Sequence, residues 1–322
     1  MENVRQSMQI LIVGGFGFVG GRLVEHLSAQ GHHIVVGSRM LKTPNVKFHD
    51  VVVKRIEWNN DSALSQICEG IDVVIHAAGM NAKECLEDPI GALNFNGNGT
   101  SRLAKAASKV GVKKFIYLST AHVYASPLVG SITEKTETRN LHPYATSHLA
   151  GENALLEIGK SAKMWTIVLR LSNAFGAPIH QSVNCWMLLV NDLCRQAIQT
   201  KKLNVKSDGM QLRDFISMQE VCRVIEKIIL ANEKFRAFQL FNLGSGISKS
   251  VREIAKLVQA RSLQVLGFKP ELSFLKEASS KTSLPLYYGT ENLSALNIEI
   301  RDASSETEID NLLSFCGVNF IN

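Results

Sequence analysis

The sequence predicts an α/β protein built on a doubly wound parallel sheet with a smaller C-terminal lobe. Three features indicate this fold class: short apolar runs, helical patterns between those runs, and a glycine-rich turn directly after the first run. Apolar runs separated by helices are typical of βαβ units, in which helices cover both faces of a parallel sheet. The chain has 322 residues, enough for about two domains.

Strands and helices alternate through the first half of the chain. Each predicted strand is a short apolar run, and these runs lie at 8–13, 34–36, 73–76, 115–118 and 165–169. Helical periodicity of apolar residues predicts helices between them, at 19–30, 100–109 and 143–158. After Phe175 the pattern changes, with helices predicted at 183–199 and 250–260 and short strands at 202–205, 213–216 and 239–243. The tail from Gly267 is rich in Ser and Thr, and we expect it to be irregular.

The change of pattern sets the expected domain boundaries. We expect a dinucleotide-binding domain over residues 8–178, with residues 212–244 rejoining its sheet. Residues 179–211 and 245–322 are expected to form a substrate-binding lobe. No linker separates the two parts, so the lobe is expected to grow out of later excursions of the same chain.

The composition argues against several classes of protein. Lys and Arg number 35 and Asp and Glu number 29, and the resulting net charge of +6 is spread along the chain. This pattern does not favour nucleic-acid binding, although it suits a phosphorylated substrate or cofactor. No apolar run is long enough for a membrane span, and the N-terminus lacks the apolar stretch of a secretory signal. The six cysteines form no CxxC pair, so we expect free thiols, no metal site and a cytoplasmic protein.

A glycine-rich turn joins the first predicted strand to the first predicted helix. Gly14, Gly17 and Gly20 are spaced three apart, and Phe18 lies at the start of the helix. In a dinucleotide site the first glycine permits a tight turn, the second lets the backbone approach the pyrophosphate, and the third lets the helix pack closely. The helix N-terminus adds free N–H groups for the anion. The strand–turn–helix context therefore predicts a Rossmann-type dinucleotide site.

The end of the second strand bears on the choice of cofactor. An NAD-preferring site usually carries Asp or Glu there for the ribose 2′-OH, whereas this chain has Ser38 followed by Arg39. Ser and Arg would hydrogen-bond a 2′-phosphate, which an acidic residue would repel. The sequence therefore favours NADP(H), and NAD(H) remains open as the alternative.

Several further segments are similar to the motifs of one family, the extended short-chain dehydrogenase/reductases, and in particular to its nucleotide-sugar epimerases, dehydratases and reductases. The resemblance covers roughly residues 8–260. Its segments are Gly14–Gly20, His76–Gly79, Asn96–Thr100, Leu118–Tyr124, Pro143–Glu152, Leu169–Gly176, Gln211–Ile216 and Phe241–Gly244. So many motifs in one order imply the family's fold, a nucleotide-activated sugar as substrate and, by analogy, a homodimer.

The resemblance also implies roles for individual residues. Thr120 takes the place of the family's catalytic Ser or Thr, and Tyr144 that of its acid/base tyrosine. Asn173, Arg213 and His180 match positions on the substrate side, and a guanidinium fork suits a diphosphate.

The cofactor side of the resemblance involves other residues. Ala77 and Ala78 belong to the segment that lies against the cofactor in the family, and Asn96 opens the next helix motif. Glu57 and Trp58 stand near the end of the third strand, where relatives bind the adenine.

One position departs from the family pattern of Tyr-x-x-x-Lys. His148 stands where lysine is expected, one helical turn after Tyr144. A nearby ammonium lowers the pKa of a tyrosine, whereas histidine with its ordinary pKa of about 6.5 is mostly neutral at pH 7. Three interpretations stay open: a weaker histidine substitute, a site tuned to a protonated Tyr144, or a catalytically impaired cofactor-binding relative that regulates or scaffolds a partner.

The type of reaction also stays open. A dehydratase of the family carries an acidic pair after the catalytic Thr, and Ala121 and His122 in those places disfavour this reaction. His122 and His180 could transfer a proton next to a ketone, or they could be ordinary surface or loop residues. A 4-epimerase and a 4-keto-sugar reductase remain as nearly equal alternatives.

Overall fold

The computed structural model of the protein describes residues 7–39, 48, 51–161, 163–231, 238–275, 284–301 and 304–320. The chain divides into two compact units. The first comprises Met1–Val123, Thr138–Arg170 and Glu226–Phe241, and the second comprises Tyr124–Glu137, Leu171–Ile225 and Asn242–Asn322. The division differs from the expected boundaries, because residues 171–178 and most of 212–244 belong to the second unit.

The elements follow in chain order. The strands are β1 (Gln9–Val13), β2 (His33–Ser38), β3 (Val51–Arg55), β4 (Val73–His76), β5 (Lys114–Thr120), β6 (Gly130–Ile132), β7 (Trp165–Leu171), β8 (Asn173–Phe175), β9 (Lys202–Val205), β10 (Leu212–Ser217), β11 (Gln239–Leu243), β12 (Ser248–Ser250), β13 (Glu271–Phe274) and β14 (Leu286–Tyr288). The α-helices are α1 (Phe18–Ala29), α2 (Asp61–Cys68), α3 (Ala82–Glu87), α4 (Pro89–Ala92), α5 (Thr100–Lys109), α6 (Pro143–Ser161), α7 (Leu189–Thr200), α8 (Met218–Leu230), α9 (Val251–Leu266) and α10 (Ser305–Asn319). A π-helical segment spans Leu93–Gly99, and 3₁₀ turns span Ala121–Val123 and Glu291–Leu296.

The central sheet confirms the predicted fold class. Its seven described strands are ordered β11-β7-β5-β4-β1-β2-β3. The pairs β1–β2, β1–β4, β2–β3 and β4–β5 are parallel. The strand order reverses between β1 and β4, and ligands of open α/β sheets bind at such a switch point, beyond the carboxyl ends of the strands.

The core of the first unit lies between this sheet and its helices. Leu11, Val74 and Phe115 of the strands pack with Leu103 and Leu155 of the helices, and all five are fully buried. Burying a side chain of this size contributes roughly 1.5–3 kcal/mol, so the core holds the strand ends in fixed positions.

Strand β10 corrects one expectation. We expected residues 212–244 to rejoin the central sheet, but only β11 does so. β10 lies in a separate three-stranded sheet, parallel to β8 and antiparallel to β12. The buried Asp214 carboxylate accepts hydrogen bonds from the Ser172 hydroxyl at 2.5 Å and from the backbone N–H groups of Ser245 and Gly246, each at 2.8 Å. These bonds tie β10 to the second unit.

The second unit has its own helical core. Helices α7, α9 and α10 contribute Leu193, Val258, Leu312 and Leu313 to it, all almost completely buried. The tail after Gly267 was expected to be irregular, which is wrong for its described part, because it forms β13, β14 and α10. In the part of the chain that the structure describes, no helix has both the length and the apolar character needed to cross a membrane.

Candidate active site

The glycine turn is closely packed and leaves no space for a side chain at Gly14 or Gly20. Gly14 has φ +87°, and a Cβ there would lie 2.7 Å from the backbone nitrogen of Ala78. A Cβ on Gly20 would lie 2.2 Å from the carbonyl oxygen of Gly14. Helix α1 begins at Phe18, and no side chain caps its N-terminus. The first N–H groups of α1 are therefore not capped by a side chain, and a helix N-terminus of this kind binds pyrophosphate in dinucleotide sites.

Replacing Gly20 with alanine is expected to lower the free energy of unfolding by about 2–3 kcal/mol, because the new methyl group meets backbone that cannot move aside. Gly17→Ala is the matched control, since its Cβ would lie 3.2 Å from the same carbonyl oxygen. Urea unfolding of both variants tests this contrast. Equal losses of stability would show that the Gly20 contact does not limit the packing of α1.

The carboxyl ends of β2 and β3 carry the residues predicted to bind the adenosine part of a cofactor. Arg39 is exposed, and its guanidinium lies 5.6 Å from the centre of the Phe95 ring. Trp58 packs into the protein, with its ring 5.6 Å from that of His76 and 5.0 Å from that of Phe95. Glu57 accepts a hydrogen bond from Asn60 at 3.3 Å.

Thr120, Tyr144 and His148 lie close together. Thr120 ends β5, and Tyr144 and His148 lie one turn apart on α6. The Thr120 side chain lies close enough to that of Tyr144 to lower the pKa of the phenol. The ring centres of Tyr144 and His148 are 4.6 Å apart. The exposed ring of His122 lies 6.4 Å from that of Tyr144.

The protonation states follow from burial. His148 is only 5% exposed, and burial lowers its pKa to about 4, so it is neutral at pH 7. Burial also raises the pKa of Tyr144 above its usual value, and the nearby Thr120 side chain opposes this only in part. Tyr144 is therefore a protonated phenol at neutral pH, next to an uncharged imidazole.

Asn96 links the loop after β4 to helix α6. It lies on the π-helical segment, a deviation from α-helical geometry that is frequent at functional sites. Its side-chain oxygen accepts the Met80 N–H at 2.9 Å, and its amide nitrogen donates to the Ser147 hydroxyl at 3.0 Å. Asn96 therefore positions this loop. The sequence motifs give no sign of the role of Ser147, which stands directly before His148.

A buried ion pair, which the sequence motifs do not indicate either, anchors helix α6 to the sheet. Arg170 of β7 donates to Glu152 of α6 through Nε at 3.1 Å and Nη2 at 2.5 Å. The hydroxyl of Ser119 donates to the same carboxylate at 2.5 Å. Since Ser119 directly precedes Thr120, the cluster links the end of β5 to α6, the helix that carries Tyr144.

The predicted substrate residues all lie in the second unit. Arg213 donates to the neutral side chain of Gln211 at 2.9 Å, and burial lowers its pKa. Asn173 donates from its amide to the Asp214 carbonyl at 2.8 Å. His180 shares a hydrogen bond of 2.7 Å with the Ser182 hydroxyl, which places Nδ1 in a local turn.

The chain belongs to the NAD dependent epimerase/dehydratase family, whose model matches residues 10–244. This confirms the family suggested by the sequence motifs and makes the protein a member of a family of nicotinamide-dependent enzymes. Among similar proteins is an uncharacterized UDP-glucose epimerase, YtcB, of Bacillus subtilis (strain 168), 25% identical over 292 residues that cover 86% of this chain and 88% of the relative. A UDP-glucose 4-epimerase of Neisseria meningitidis serogroup C is 28% identical over 281 residues, covering 79% and 82%.

Solved structures share the fold over nearly the whole chain. MoeE5 in complex with UDP-glucose and NAD has a TM-score of 0.77 at 22% identity, covering 95% of this chain and 98% of that one. A UDP-N-acetylglucosamine 4-epimerase from Methanobrevibacter ruminantium M1 has a TM-score of 0.81 at 18% identity, covering 96% and 98%. At these identities the likeness establishes the Rossmann-type fold.

Proposed function

We propose that this protein is a nicotinamide-dependent enzyme that epimerises a UDP-sugar at carbon 4. The observation that carries the proposal is the closeness of Thr120, at the end of β5, to Tyr144 of α6. Both residues lie in the same unit as the glycine turn. UDP-glucose 4-epimerases among the relatives support the nucleotide and the reaction. In this proposal, homodimerisation follows the family resemblance, and a cytoplasmic location follows from the free thiols.

The chemistry of the proposed site is proton transfer at an oxygen. A bound nicotinamide would accept or return the hydride. Tyr144 would take the proton of a sugar hydroxyl or return it to a ketone, and Thr120 would hold the same oxygen by hydrogen bonding. The residues that would hold the cofactor are those of the Gly14–Gly20 turn with Ala77, Ala78 and Asn96. Gly14 and the backbone of Ala78 approach so closely that only glycine fits at the turn.

Arg213 of the second unit is the residue proposed to bind the diphosphate of the substrate. Among the described residues no carboxylate pairs with Arg213, whose guanidinium is half-buried next to a neutral amide. A partly desolvated cation without a counter-ion is well suited to an anionic ligand. We assign Asn173 and His180 to the same substrate side, with the free ring nitrogen of His180 as a further donor or acceptor.

Reduction of a 4-keto sugar is the second candidate, and one observation favours it. The raised pKa of Tyr144 keeps the phenol protonated, which suits donation to a ketone better than abstraction from a hydroxyl. His122 next to the Tyr144 ring is the proposed group for any proton transfer beside the ketone. Dehydration is disfavoured, because Ala121 and His122 replace the acidic pair.

Cofactor preference is the first test, by fluorescence titration with NADPH and NADH. Ser38 and Arg39 support NADP(H), whereas similar solved structures are described as complexes with NAD. If Arg39 contacts a 2′-phosphate, Arg39→Ala weakens NADPH binding about tenfold and leaves NADH binding unchanged. Lys160→Ala is the charge-matched control, because Lys160 is an exposed residue paired with Glu157. Tight binding of NADH alone would contradict the assignment of Arg39.

The reaction is tested with purified protein and candidate substrates. Interconversion of UDP-glucose and UDP-galactose supports the epimerase, and oxidation of NADPH only with a 4-keto sugar supports the reductase. Binding of cofactor without turnover of any nucleotide sugar would favour a regulatory or scaffolding subunit. Failure to bind either cofactor would contradict the proposal as a whole.

A further inference from the structure

Tyr117 contacts the residue that replaces the family's lysine. It lies on β5 three residues before Thr120, and its hydroxyl is 2.9 Å from Nδ1 of His148. Their rings stack with centres 5.8 Å apart. Tyr117 is 1% exposed, so it meets no substrate directly, and the proposed function above does not use it.

The direction of this hydrogen bond follows from the two protonation states. Burial raises the pKa of Tyr117 well above 10.0, so its O–H is retained. Neutral His148 carries a single N–H, on either Nδ1 or Nε2. A phenol donates more strongly than it accepts, and a bare imidazole nitrogen is a strong acceptor. The pair is therefore most stable with Tyr117 donating to Nδ1, which places the proton of His148 on Nε2.

The other ring nitrogen lies near the loop after β4. A Cβ built on Gly79 would lie 3.5 Å from Cε1 and 3.6 Å from Nε2 of His148. We propose that Tyr117 is a positioning residue that fixes His148 as its Nε2–H tautomer, and so presents a neutral N–H donor beside Gly79. The consequence of this tautomer for cofactor binding rests on the proposed function, in which Ala77 and Ala78 of this loop lie against the cofactor.

A histidine at this position needs a partner to serve as a hydrogen-bond donor. A lysine ammonium donates hydrogen bonds in every orientation, whereas a neutral histidine donates only from the nitrogen that carries the proton. Without the Tyr117 hydroxyl, the tautomer with Nδ1–H becomes available and leaves Nε2 unable to donate. Tyr117 thus keeps His148 able to donate a hydrogen bond from Nε2, whereas a lysine would donate without a partner.

The tautomer is measured directly by long-range ¹H–¹⁵N correlation NMR of protein labelled at its nine histidines. The His148 signals are assigned by their loss in His148→Gln. We expect a protonated Nε2 and an unprotonated Nδ1 in the wild type at pH 7, and appearance of the Nδ1–H form in Tyr117→Phe. Tyr124→Phe is the matched control, since it removes a buried hydroxyl bonded instead to Asn242 at 2.7 Å.

The results that would overturn the proposal are distinct. Nδ1–H in the wild type means that Tyr117 accepts rather than donates, and this spectrum needs no variant to fold. An unchanged tautomer in Tyr117→Phe would equally remove Tyr117 from the role.

A binding experiment tests the consequence for the cofactor. Tyr117→Phe is expected to weaken binding of NADH or NADPH about three- to tenfold in the wild-type background and to have no effect in the H148K background. Equal losses in both backgrounds would indicate a general structural role and overturn the proposal. If the wild type binds neither cofactor, the proposed function fails while the tautomer spectrum still decides the role of Tyr117.

Discussion

Replacing His148 with lysine is expected to raise turnover by about 10- to 100-fold at pH 7 in the epimerase assay. The substitution places an ammonium within one helical turn of Tyr144, where it stabilises the phenolate. In the wild type His148 is neutral, its pKa being lowered by burial to about 4, so it gives no such help. Steady-state kinetics of wild type and variant on the same nucleotide sugar measure the effect.

The pH dependence has a defined sign. Burial raises the pKa of Tyr144 above 10.0, the usual value for a tyrosine. The fraction of phenolate in the wild type therefore becomes large only at pH values above 10.0. Wild-type turnover should therefore still be climbing at the alkaline limit of the assay, and His148→Lys should shift this climb to lower pH. Protonation of His148 contributes nothing above pH 6, since its folded-state pKa lies well below that.

Two controls separate this effect from changes in packing. His148→Gln keeps a neutral hydrogen-bonding side chain and is expected to give no gain. Adding Tyr144→Phe to the H148K background should abolish the gain, because the lysine acts through the phenol. A gain that survives the loss of the Tyr144 hydroxyl would mean that the lysine acts elsewhere, and no turnover in any of these proteins would count against an active enzyme.

The parts of the site that could be predicted are those encoded locally. The glycine turn follows a strand and opens a helix, and Tyr144 and His148 are four residues apart on one helix face. Both relations are set by backbone geometry within a few residues, so spacing alone predicts them. The alternation of apolar runs and helices predicts the doubly wound sheet for the same reason.

The parts that could not be predicted depend on contacts between distant segments. Tyr117 meets His148 across 31 positions, and Arg170 meets Glu152 across 18. Nothing in the local pattern of β5 distinguishes Tyr117 from an ordinary core residue. The position of β10 could not be predicted because it depends on the hydrogen bonds of Asp214 with Ser172 and Ser245. Strand propensity does not reveal such tertiary contacts.

The buried ion pair between Arg170 and Glu152 is expected to have the largest single effect on stability. Arg170→Met should lower the free energy of unfolding by about 3–5 kcal/mol, because it leaves the Glu152 carboxylate buried without its cation. The two side chains are only 6% and 4% exposed, so water cannot replace the lost partner. Urea unfolding of the purified variant measures the loss.

An exposed pair provides the matched control. Arg102 donates to Asp61 at 2.8 Å, but the Asp61 side chain is 78% exposed, and Arg102→Met should cost less than about 1 kcal/mol. Replacing both Arg170 and Glu152 with methionine should recover much of the stability, because no uncompensated charge remains. If Arg170→Met costs no more than Arg102→Met, the pair does not anchor α6. Arg170→Met should also lower the turnover of the protein that remains folded. Helix α6 carries Tyr144, and without the ion pair the distance between Tyr144 and Thr120 is no longer fixed.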